Sequence, residues 1–190
     1  METIVYLIRH AESIYVEGKD RTRGLSEQGH KDALRVKSIL QDAIIDSFVS
    51  SPYERAILTV KPLADELHKE IIIIEELRER TIGDIGNSSF HEAKKRVYED
   101  FEVAFAGGES SSEAQARGIQ EMELLLEKYK DQTIAIGTHG DIMTLIINHY
   151  DPKYGYEFWQ STSMPDIYRL EFEDGKLSYV AREWVLEGNS

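Results

Sequence analysis

The sequence predicts an α/β fold, a three-layer sandwich with a mostly parallel central sheet and helices on both faces. Three observations support this prediction. Strand-like and helix-like segments alternate along the 190 residues, which is typical of parallel sheets with crossover helices. The first strand-like run, residues 3–8, is almost continuously apolar, as in strands that are covered on both faces. The C-terminal part breaks the alternation with two strand-like runs joined by Asp174-Gly175, a hairpin signal that predicts an antiparallel contribution from the tail.

The first half of the chain shows the alternation in order. After the strand at residues 3–8 and a polar stretch, Ser26 has the position of an N-cap for the first helix. A short apolar strand at residues 47–50 leads into a second helix, which Pro62 is expected to kink or divide. The four isoleucines at residues 71–74 are expected to form a buried strand.

The second half continues the pattern after an interruption. Residues 80–108 contain glycines and serines on both sides of a charged segment, which predicts a helix over residues 90–105 inside an insertion. Such insertions commonly carry specificity, so we expect a lid or specificity segment at about residues 80–112, within a single domain over residues 1–190. The remaining predicted elements are a helix over 110–130 with a cap-like start at residues 111–113, a strand over 133–138, a helix over 142–150, and strands over 166–173 and 176–184.

The composition excludes several classes of protein. The net charge of −13 argues against a nucleic-acid partner, which requires a basic surface. No apolar run reaches the roughly 18 residues of a membrane span, so no membrane partner is expected. The absence of cysteine excludes disulfides and cysteine-based metal sites. Because Met1 leads directly into a strand without a signal-like segment, we expect a cytoplasmic location; the sequence leaves a homodimer open.

Basic and imidazole side chains follow three predicted parallel strands at the point where each strand ends. Arg9 and His10 follow the first strand, Arg55 lies in the first turn after the second, and His139 follows the strand at residues 133–138. Because ligands bind outside the carboxyl ends of parallel strands, these side chains are expected to form one anion pocket. In an acidic protein, binding an anion requires such a local concentration of positive charge.

The same segments resemble the histidine phosphatase superfamily, with its phosphoglycerate mutase-like fold. The Arg-His-Gly-Glu signature of that family stands here as Arg9-His10-Ala11-Glu12, and its Ser-Ser-x-x-x-Arg-Ala-x-x-Thr motif spans residues 50–59. Four further segments match in the same order: residues 25–29, 77–83, 108–110 and 138–140. Together the motifs cover the chain from residue 4 to about residue 145.

The resemblance implies a role for each site residue. His10 would be the nucleophile that becomes phosphohistidine, and Glu79 would protonate the leaving oxygen. Arg9, Arg55 and His139 would hold the phosphoryl oxygens. General chemistry supports these roles, because a neutral imidazole is a nucleophile near pH 7 and guanidinium groups offset phosphoryl charge. Two other carboxylates remain alternatives to Glu79 as the acid: Glu76 and Glu109.

The segment after His10 departs from the family pattern at two positions. Ala11 replaces the usual glycine, and Val16 stands where phosphoglycerate mutases have an asparagine that contacts phosphate. Arg21 or Arg23 in the same loop could supply that contact. Four residues are candidates for the rest of the pocket: Ser13, Arg21, Arg23 and His91. Three other histidines have no motif support and are expected to be structural or on the surface: His30, His68 and His149.

These observations predict a metal-independent phosphomonoesterase without a cofactor, acting on a small phosphorylated metabolite through a phosphohistidine. One alternative is a cofactor-dependent phosphoglycerate mutase, which should carry more basic side chains on its lid. Here the insertion has only the cluster at residues 94–96, and the tail at residues 186–190 is short and acidic.

Two further alternatives come from other classes of protein. The chain could be a non-catalytic regulatory protein that binds a phosphorylated ligand. It could also hold a hydrolytic metal ion on four side chains: His10, Glu12, His139 and Asp141. The metal site would place Arg9 and Arg55 beside a cation, which is electrostatically unfavourable.

Overall fold

The strands of the computed structural model, which describes residues 1–187, form one six-stranded sheet. They are β1 (Glu2–Arg9), β2 (Ser47–Ser50), β3 (Ile71–Ile73), β4 (Thr133–Thr138), β5 (Asp166–Glu173) and β6 (Lys176–Arg182). Their order across the sheet is β3-β2-β4-β1-β5-β6. Strands β1 to β4 run parallel to one another, whereas β5 is antiparallel to β1 and β6 is antiparallel to β5. The predicted mostly parallel sheet is confirmed.

Helices cover both faces of the sheet. They are α1 (Glu27–Leu40), α2 (Glu54–Glu66), α3 (Phe90–Glu99), α4 (Ser111–Lys128), α5 (Gly140–Tyr150) and α6 (Tyr156–Ser161), with a 3-10 turn at Glu75–Leu77. Tyr6 and Ile8 of β1 pack in a core with α1 and α2, whereas Val5 and Leu7 pack in a second core with α4 and α5. Successive side chains of β1 therefore enter opposite cores, which produces the predicted three layers.

The register of the sheet brings the predicted site segments to one edge. Arg9 at the end of β1 is paired with Thr138 at the end of β4, and Ser50 at the end of β2 is paired with Gly137. The residues that follow these strands therefore leave the sheet side by side.

The start of α1 packs against the loop that follows β1. Ser26 caps the helix by accepting a hydrogen bond from the Gly29 N–H at 3.0 Å, and its own N–H donates to the Glu12 carbonyl at 2.9 Å. A Cβ at Gly29 would lie 2.2 Å from that carbonyl oxygen, so only glycine fits there. The motif at residues 25–29 thus holds the loop after His10 in place.

Several predicted elements differ from the observed ones. The isoleucine run forms β3 at the edge of the sheet, so Ile72 and Ile73 are 42% and 47% exposed, and the prediction of a buried strand was wrong. Helix α2 runs through Pro62 without division. Helix α3 ends at Glu99 rather than at residue 105, because the chain folds back to pair Asp84 with Ala106.

The remaining differences are at element ends. The N-cap of α4 is Ser110, which precedes the cap-like residues 111–113 of the prediction, and it forms a capping box with Glu113. The helix ends at Lys128, and β6 ends at Arg182. The acidic tail at residues 186–190 is described only in part, because residues 188–190 lie outside the described part of the chain. No helix within residues 1–187 is long and apolar enough to cross a membrane.

Candidate active site

Strand β1 delivers His10 to the middle of the site. The His10 N–H donates to the Thr138 carbonyl at 3.0 Å, and the imidazole Nδ1 lies 2.8 Å from the Ala11 carbonyl. Because a carbonyl oxygen only accepts, Nδ1 carries the proton and Nε2 keeps its lone pair. Burial and the nearby charges of Arg55 and Arg9 lower the pKa of His10 to about 3. The imidazole is therefore neutral near pH 7, with Nε2 as its nucleophilic atom.

The loop after His10 is held by the threonine of the second motif. The Ala11 N–H donates to Thr59 Oγ1 at 2.9 Å, and that hydroxyl donates to the Arg55 carbonyl at 2.7 Å. Ala11 itself is fully buried, which accounts for the small residue at this position. Thr59 thus joins the loop that carries His10 to the helix that carries Arg55.

Arg55 lies almost completely buried at the start of α2. One Nη donates to the Asp20 carbonyl at 2.5 Å, the other lies 3.2 Å from the Asp20 carboxylate, and the guanidinium stacks 5.0 Å from the centre of the Tyr53 ring. Its Nε is buried without a hydrogen-bond partner among the described residues. The guanidinium is therefore oriented by the protein and still has a donor for a ligand.

Arg9 is oriented by α6 and α5. One Nη donates to Thr162 Oγ1 at 2.7 Å, and this hydroxyl in turn donates to the Trp159 carbonyl at 2.6 Å. A Cβ at Gly140 would lie 2.8 Å from Arg9 Cζ, so the glycine gives the guanidinium room against the first turn of α5. Like that of Arg55, the Arg9 Nε is buried and unpaired within residues 1–187. The sequence analysis missed Thr162, because no motif marks it.

His139 is fully buried, and its ring centre lies 5.2 Å from that of His10. Its Nε2 is 2.8 Å from Ser51 Oγ, an oxygen that also accepts the Tyr53 N–H at 3.2 Å. If the hydroxyl donates its proton to Nε2, the ring proton resides on Nδ1, which has no partner in the described structure. Burial and the charge on His10, when it is protonated, hold the pKa of His139 well below its usual range. His139 is therefore a neutral ring, and in this tautomer its Nδ1–H is a free donor.

Arg9, Arg55 and His139 together form what we call the phosphate cradle around His10. Each has a buried nitrogen without a protein partner, in the part of the chain that the structure describes. The positive charges of both arginines also lower the pKa of His10, so both lie near enough to act on its ring electrostatically. Unpaired N–H donors and two guanidinium groups near a nucleophile suit a phosphoryl group with its dianionic charge.

Glu79 follows the 3-10 turn and lies at the N-terminus of α5. Its Oε2 accepts the Asp141 N–H at 3.0 Å, and its Oε1 accepts the Ile142 N–H at 2.9 Å and the Arg80 N–H at 2.8 Å. Its charge acts on the pKa of both Arg9 and Arg55, so the carboxyl group faces the cradle. Burial and the charge of Asp141 raise the pKa of Glu79, which favours the protonated form.

The two alternative carboxylates are engaged elsewhere. Glu109 accepts two hydrogen bonds of 2.9 Å from Arg117. Burial alone would raise the pKa of Glu109, but the contact with Arg117 outweighs burial and holds the pKa below its usual value. Glu76 lies 3.2 Å from the Arg78 guanidinium at the surface. The geometry therefore favours Glu79 as the acid.

Of the four additional candidates, Arg23 is the one whose charge acts on the cradle. It lowers the pKa of His10, Arg55 and His139, and its Nη1 donates to the Ser13 carbonyl at 3.2 Å. Arg21 is instead engaged with both oxygens of exposed Glu75, at 2.7 to 2.9 Å. The structure thus favours Arg23 over Arg21 as an extra phosphate ligand.

The other two candidates lie in different surroundings. The Ser13 hydroxyl donates to the Gly24 carbonyl at 2.5 Å and closes the loop after β1. His91 is exposed on α3, where its Nε2 lies 2.7 Å from the Tyr156 hydroxyl. Val16 is 47% exposed, and the remaining three histidines are exposed as well: His30, His68 and His149.

The four side chains proposed for a metal site do not converge. Glu12 is exposed and accepts a hydrogen bond from Ser26 at 2.7 Å, whereas Asp141 is fully buried among cationic partners. Within residues 1–187 no three His, Asp or Glu side chains are arranged to hold a metal ion. The arrangement therefore does not support the metal alternative.

Asp141 belongs to a second polar centre that the sequence analysis did not foresee, which we call the ion cluster. Its carboxylate lies 3.3 Å from Arg80 Nε, contacts Lys94 Nζ and accepts the Tyr98 hydroxyl at 2.8 Å. Arg80 also donates to Ser111 Oγ at 3.1 Å. All four charged or phenolic groups are buried, so the cluster joins α3, α4 and α5 behind Glu79.

Comparisons with known proteins identify the family of the chain. The chain belongs to the histidine phosphatase superfamily (branch 1), whose family model matches residues 5–185. It is 29% identical over 146 residues to phosphoserine phosphatase 1 of Hydrogenobacter thermophilus, covering 70% of this chain and 69% of that protein. It is 25% identical over 184 residues to an uncharacterized phosphatase, PhoE, of Bacillus subtilis, covering 92% and 91% of the two chains.

The fold is similar to that of a phosphoserine phosphatase from Entamoeba histolytica, solved in complex with 3-phosphoglyceric acid. The TM-score is 0.79 at 21% identity, and the match covers 96% of this chain and 98% of that one. The class of protein is therefore a histidine phosphatase-fold enzyme, and the chain is a phosphatase of this superfamily.

Proposed function

We propose that the enzyme hydrolyses phosphomonoesters of small metabolites through a phosphohistidine on His10, without a metal ion or another cofactor. The observation that carries this proposal is the orientation of His10. Its Nδ1 proton is held by the Ala11 carbonyl at 2.8 Å, which leaves the Nε2 lone pair free inside the phosphate cradle. A ligand-binding role alone would not require a nucleophilic imidazole in that tautomer.

The chemistry proceeds in two displacements. In the first, His10 Nε2 forms a bond to phosphorus while the bond from phosphorus to the alcohol oxygen breaks, and Glu79 gives its proton to that oxygen. In the second, water attacks the phosphohistidine, the carboxylate of Glu79 takes a proton from the water, and the N–P bond breaks. Throughout, Arg9, Arg55 and His139 donate to the non-bridging oxygens and offset their charge.

The first test concerns the intermediate. His10→Ala is expected to abolish turnover while the protein remains folded, since the side chain is not part of either apolar core. Wild-type enzyme mixed with labelled substrate and denatured in alkali should retain label that acid removes, because phosphohistidine survives alkali and hydrolyses in acid. Label of the opposite stability, or label retained by His10→Ala, would contradict the proposal.

Activity should persist in excess chelator. Loss of activity in EDTA, with rescue by a divalent ion, would restore the metal alternative.

The second test concerns the acid. Glu79→Gln is expected to slow hydrolysis of alkyl phosphates by roughly 10²- to 10⁴-fold, because an alkoxide leaves poorly without a proton. The loss should be much smaller with p-nitrophenyl phosphate, whose leaving group is stable as an anion. Glu76→Gln is the matched control and should affect both substrates little. Equal losses on the two substrates in Glu79→Gln would assign the acid role to another residue.

The positions of the basic side chains in the insertion favour hydrolysis over mutase activity. Of its basic cluster, Lys94 is buried against Asp141, whereas Lys95 and Arg96 are exposed on α3. A mutase must hold a second acidic group of its substrate and protect the phosphohistidine from water. Conversion of 3-phosphoglycerate to 2-phosphoglycerate, measured with and without 2,3-bisphosphoglycerate, distinguishes the two. Isomerisation much faster than phosphate release would favour the mutase.

The substrate class rests on the relatives. One of them is named a phosphoserine phosphatase, and the similar structure from Entamoeba histolytica contains 3-phosphoglyceric acid. A panel of phosphorylated small molecules that includes phosphoserine and 3-phosphoglycerate therefore tests substrate choice, with phosphate release as the readout. Turnover of any member would also exclude the non-catalytic alternative. We propose that residues 80–112 act as the specificity lid, with His91 at its rim. Cytoplasmic location stays a prediction, and the sequence leaves a homodimer open.

A further inference from the structure

The ion cluster lies directly behind the proposed acid. The backbone N–H of Asp141 donates to Glu79 Oε2 at 3.0 Å, while the Asp141 side chain binds Arg80, Lys94 and Tyr98. Asp141 therefore contacts the acid with its main chain and the insertion with its side chain. Lys94 and Tyr98 both come from α3, the helix inside residues 80–112.

The cluster is placed to act on Glu79 electrostatically. Asp141 is 0% exposed and Lys94 is 6% exposed, so water screens their charges little. Burial alone would raise the pKa of Asp141, but Lys94 and Arg80 outweigh it and keep that carboxylate ionised. The charge of Asp141 in turn raises the pKa of Glu79, and the charge of Lys94 lowers it. The charges of Asp141 and Lys94 thus change the pKa of Glu79 in opposite directions.

We propose that Asp141 and Lys94 are positioning residues that set, with opposite effects, the pH at which Glu79 loses its proton, so that the inserted helix α3 controls the acid. The inference rests on the proposed function, because it assumes that Glu79 protonates the leaving group. Asp141 holds the Glu79 carboxyl group through its N–H and favours the protonated acid through its charge. Lys94 keeps Asp141 ionised and limits that effect.

Other charged or titratable groups also face Glu79 and stay constant in the test. They come from every element packed around it: Arg9 at the end of β1, Arg55 on α2, Tyr98 on α3 and the adjacent Arg80. Because these groups are the same in the Asp141 and Lys94 variants, the difference between those variants reports the Asp141–Lys94 pair.

The experiment compares pH profiles of kcat/KM for an alkyl phosphate and for p-nitrophenyl phosphate. With the alkyl substrate, the fall in rate at high pH reports loss of the proton from the acid. Asp141→Asn removes the negative charge and leaves Lys94 and Arg80 beside Glu79, so this fall is expected at lower pH. Lys94→Gln removes the positive charge, so the fall is expected at higher pH. With p-nitrophenyl phosphate neither variant should move the profile, and ionisation of the substrate itself is common to all variants.

Three further variants complete the design. Lys94→Arg keeps the charge and should restore the wild-type profile. Lys95→Gln, at the exposed neighbouring position that pairs with Glu99, is the matched control and should not shift the profile. Tyr98→Phe removes one hydrogen bond to Asp141 but no charge, so it should shift the profile less than either charge variant; Asp141→Asn carries the test alone if Lys94→Gln does not fold.

The outcomes separate this inference from the proposed function. If Glu79→Gln loses activity equally on both substrates, the acid role fails and this inference fails with it. If Glu79→Gln shows the expected substrate difference but the Asp141 and Lys94 variants leave the alkyl-phosphate profile unshifted or shift it in the same direction, only this inference is overturned. A loss of equal size on both substrates, without a change in pH profile, would show that the pair has a purely structural role.

Discussion

The phosphate cradle and the ion cluster are two buried polar centres that differ in their balance of positive and negative charge. In the cradle, Arg9 and Arg55 lie beside two neutral histidines, and the main protein carboxylate near Arg55, Asp20, is 57% exposed. In the ion cluster, two cations surround one fully buried carboxylate, Asp141. The positive charge of the cradle is therefore compensated only in part by the protein, whereas the cluster supplies its own buried anion.

This difference separates a site that can bind an anion from one that already contains its own anion. Burying cations without enough anionic partners has an unfavourable desolvation free energy, and a bound phosphoryl group would offset it. Buried cations that already have an anion gain nothing from a ligand, but they resist removal of any member. Changes in the cradle should therefore reduce activity, and removal of a cation from the cluster should reduce stability in addition to the shift in pH profile expected for the Asp141 and Lys94 variants.

The largest expected effect comes from the cradle. Arg55→Met should lower kcat/KM by about 10³- to 10⁵-fold, the range that a transition-state arginine supplies in phosphoryl transfer. Inorganic phosphate should no longer raise the melting temperature of this variant, although it should stabilise the wild type. The exposed Lys61 on the same helix gives the control, Lys61→Met, which should keep both properties. Phosphate stabilisation that persists in Arg55→Met would remove Arg55 from the cradle.

An intermediate effect is expected in the ion cluster. Arg80→Met leaves the buried Asp141 with one cation fewer and should lower the free energy of unfolding by about 3 kcal/mol, the low end for a broken buried pair. The low end applies because Lys94 and Tyr98 still contact Asp141. Denaturant titration measures this loss. Arg78→Met breaks a contact at the surface, to Glu76, and should cost at most about 1 kcal/mol. Similar losses in the two variants would show that the cluster contributes no more than a surface pair.

The smallest effect is expected at Gly140, which lies between Arg9 of the cradle and Asp141 of the ion cluster. Gly140→Ala would place a methyl group 2.8 Å from Arg9 Cζ, and the flexible end of Arg9 can move away at little cost in stability. The displaced guanidinium should lower kcat/KM by about 10- to 100-fold. Gly24→Ala serves as the control, because its Cβ would lie at an ordinary 3.4 Å from Leu58 Cδ1. A loss of stability without a loss of activity in Gly140→Ala would mean that this glycine serves the fold alone.

The two centres also differ in how far the sequence predicts them. The cradle residues follow strand ends at fixed points of recognisable motifs, so Arg9, His10, Arg55 and His139 were expected together, and the structure places them together. The preference for Arg23 over Arg21 was not predictable, because it depends on the contact between Arg21 and Glu75. In the same way, β3 was expected to be buried because four isoleucines are strongly apolar, but its burial depends on its position at the edge of the sheet.

The sequence by itself determined the α/β class, the order of most helices and strands, and the residues at the carboxyl ends of β1, β2 and β4. These features depend on local periodicity, caps and turns, which a short segment contains in full. The tertiary structure alone decided that Thr162 orients Arg9 and that Arg80, Lys94 and Tyr98 enclose Asp141. Those contacts join residues 43 to 153 positions apart, and they arise from the packing of α3 and α6 beside α5, which no local pattern records.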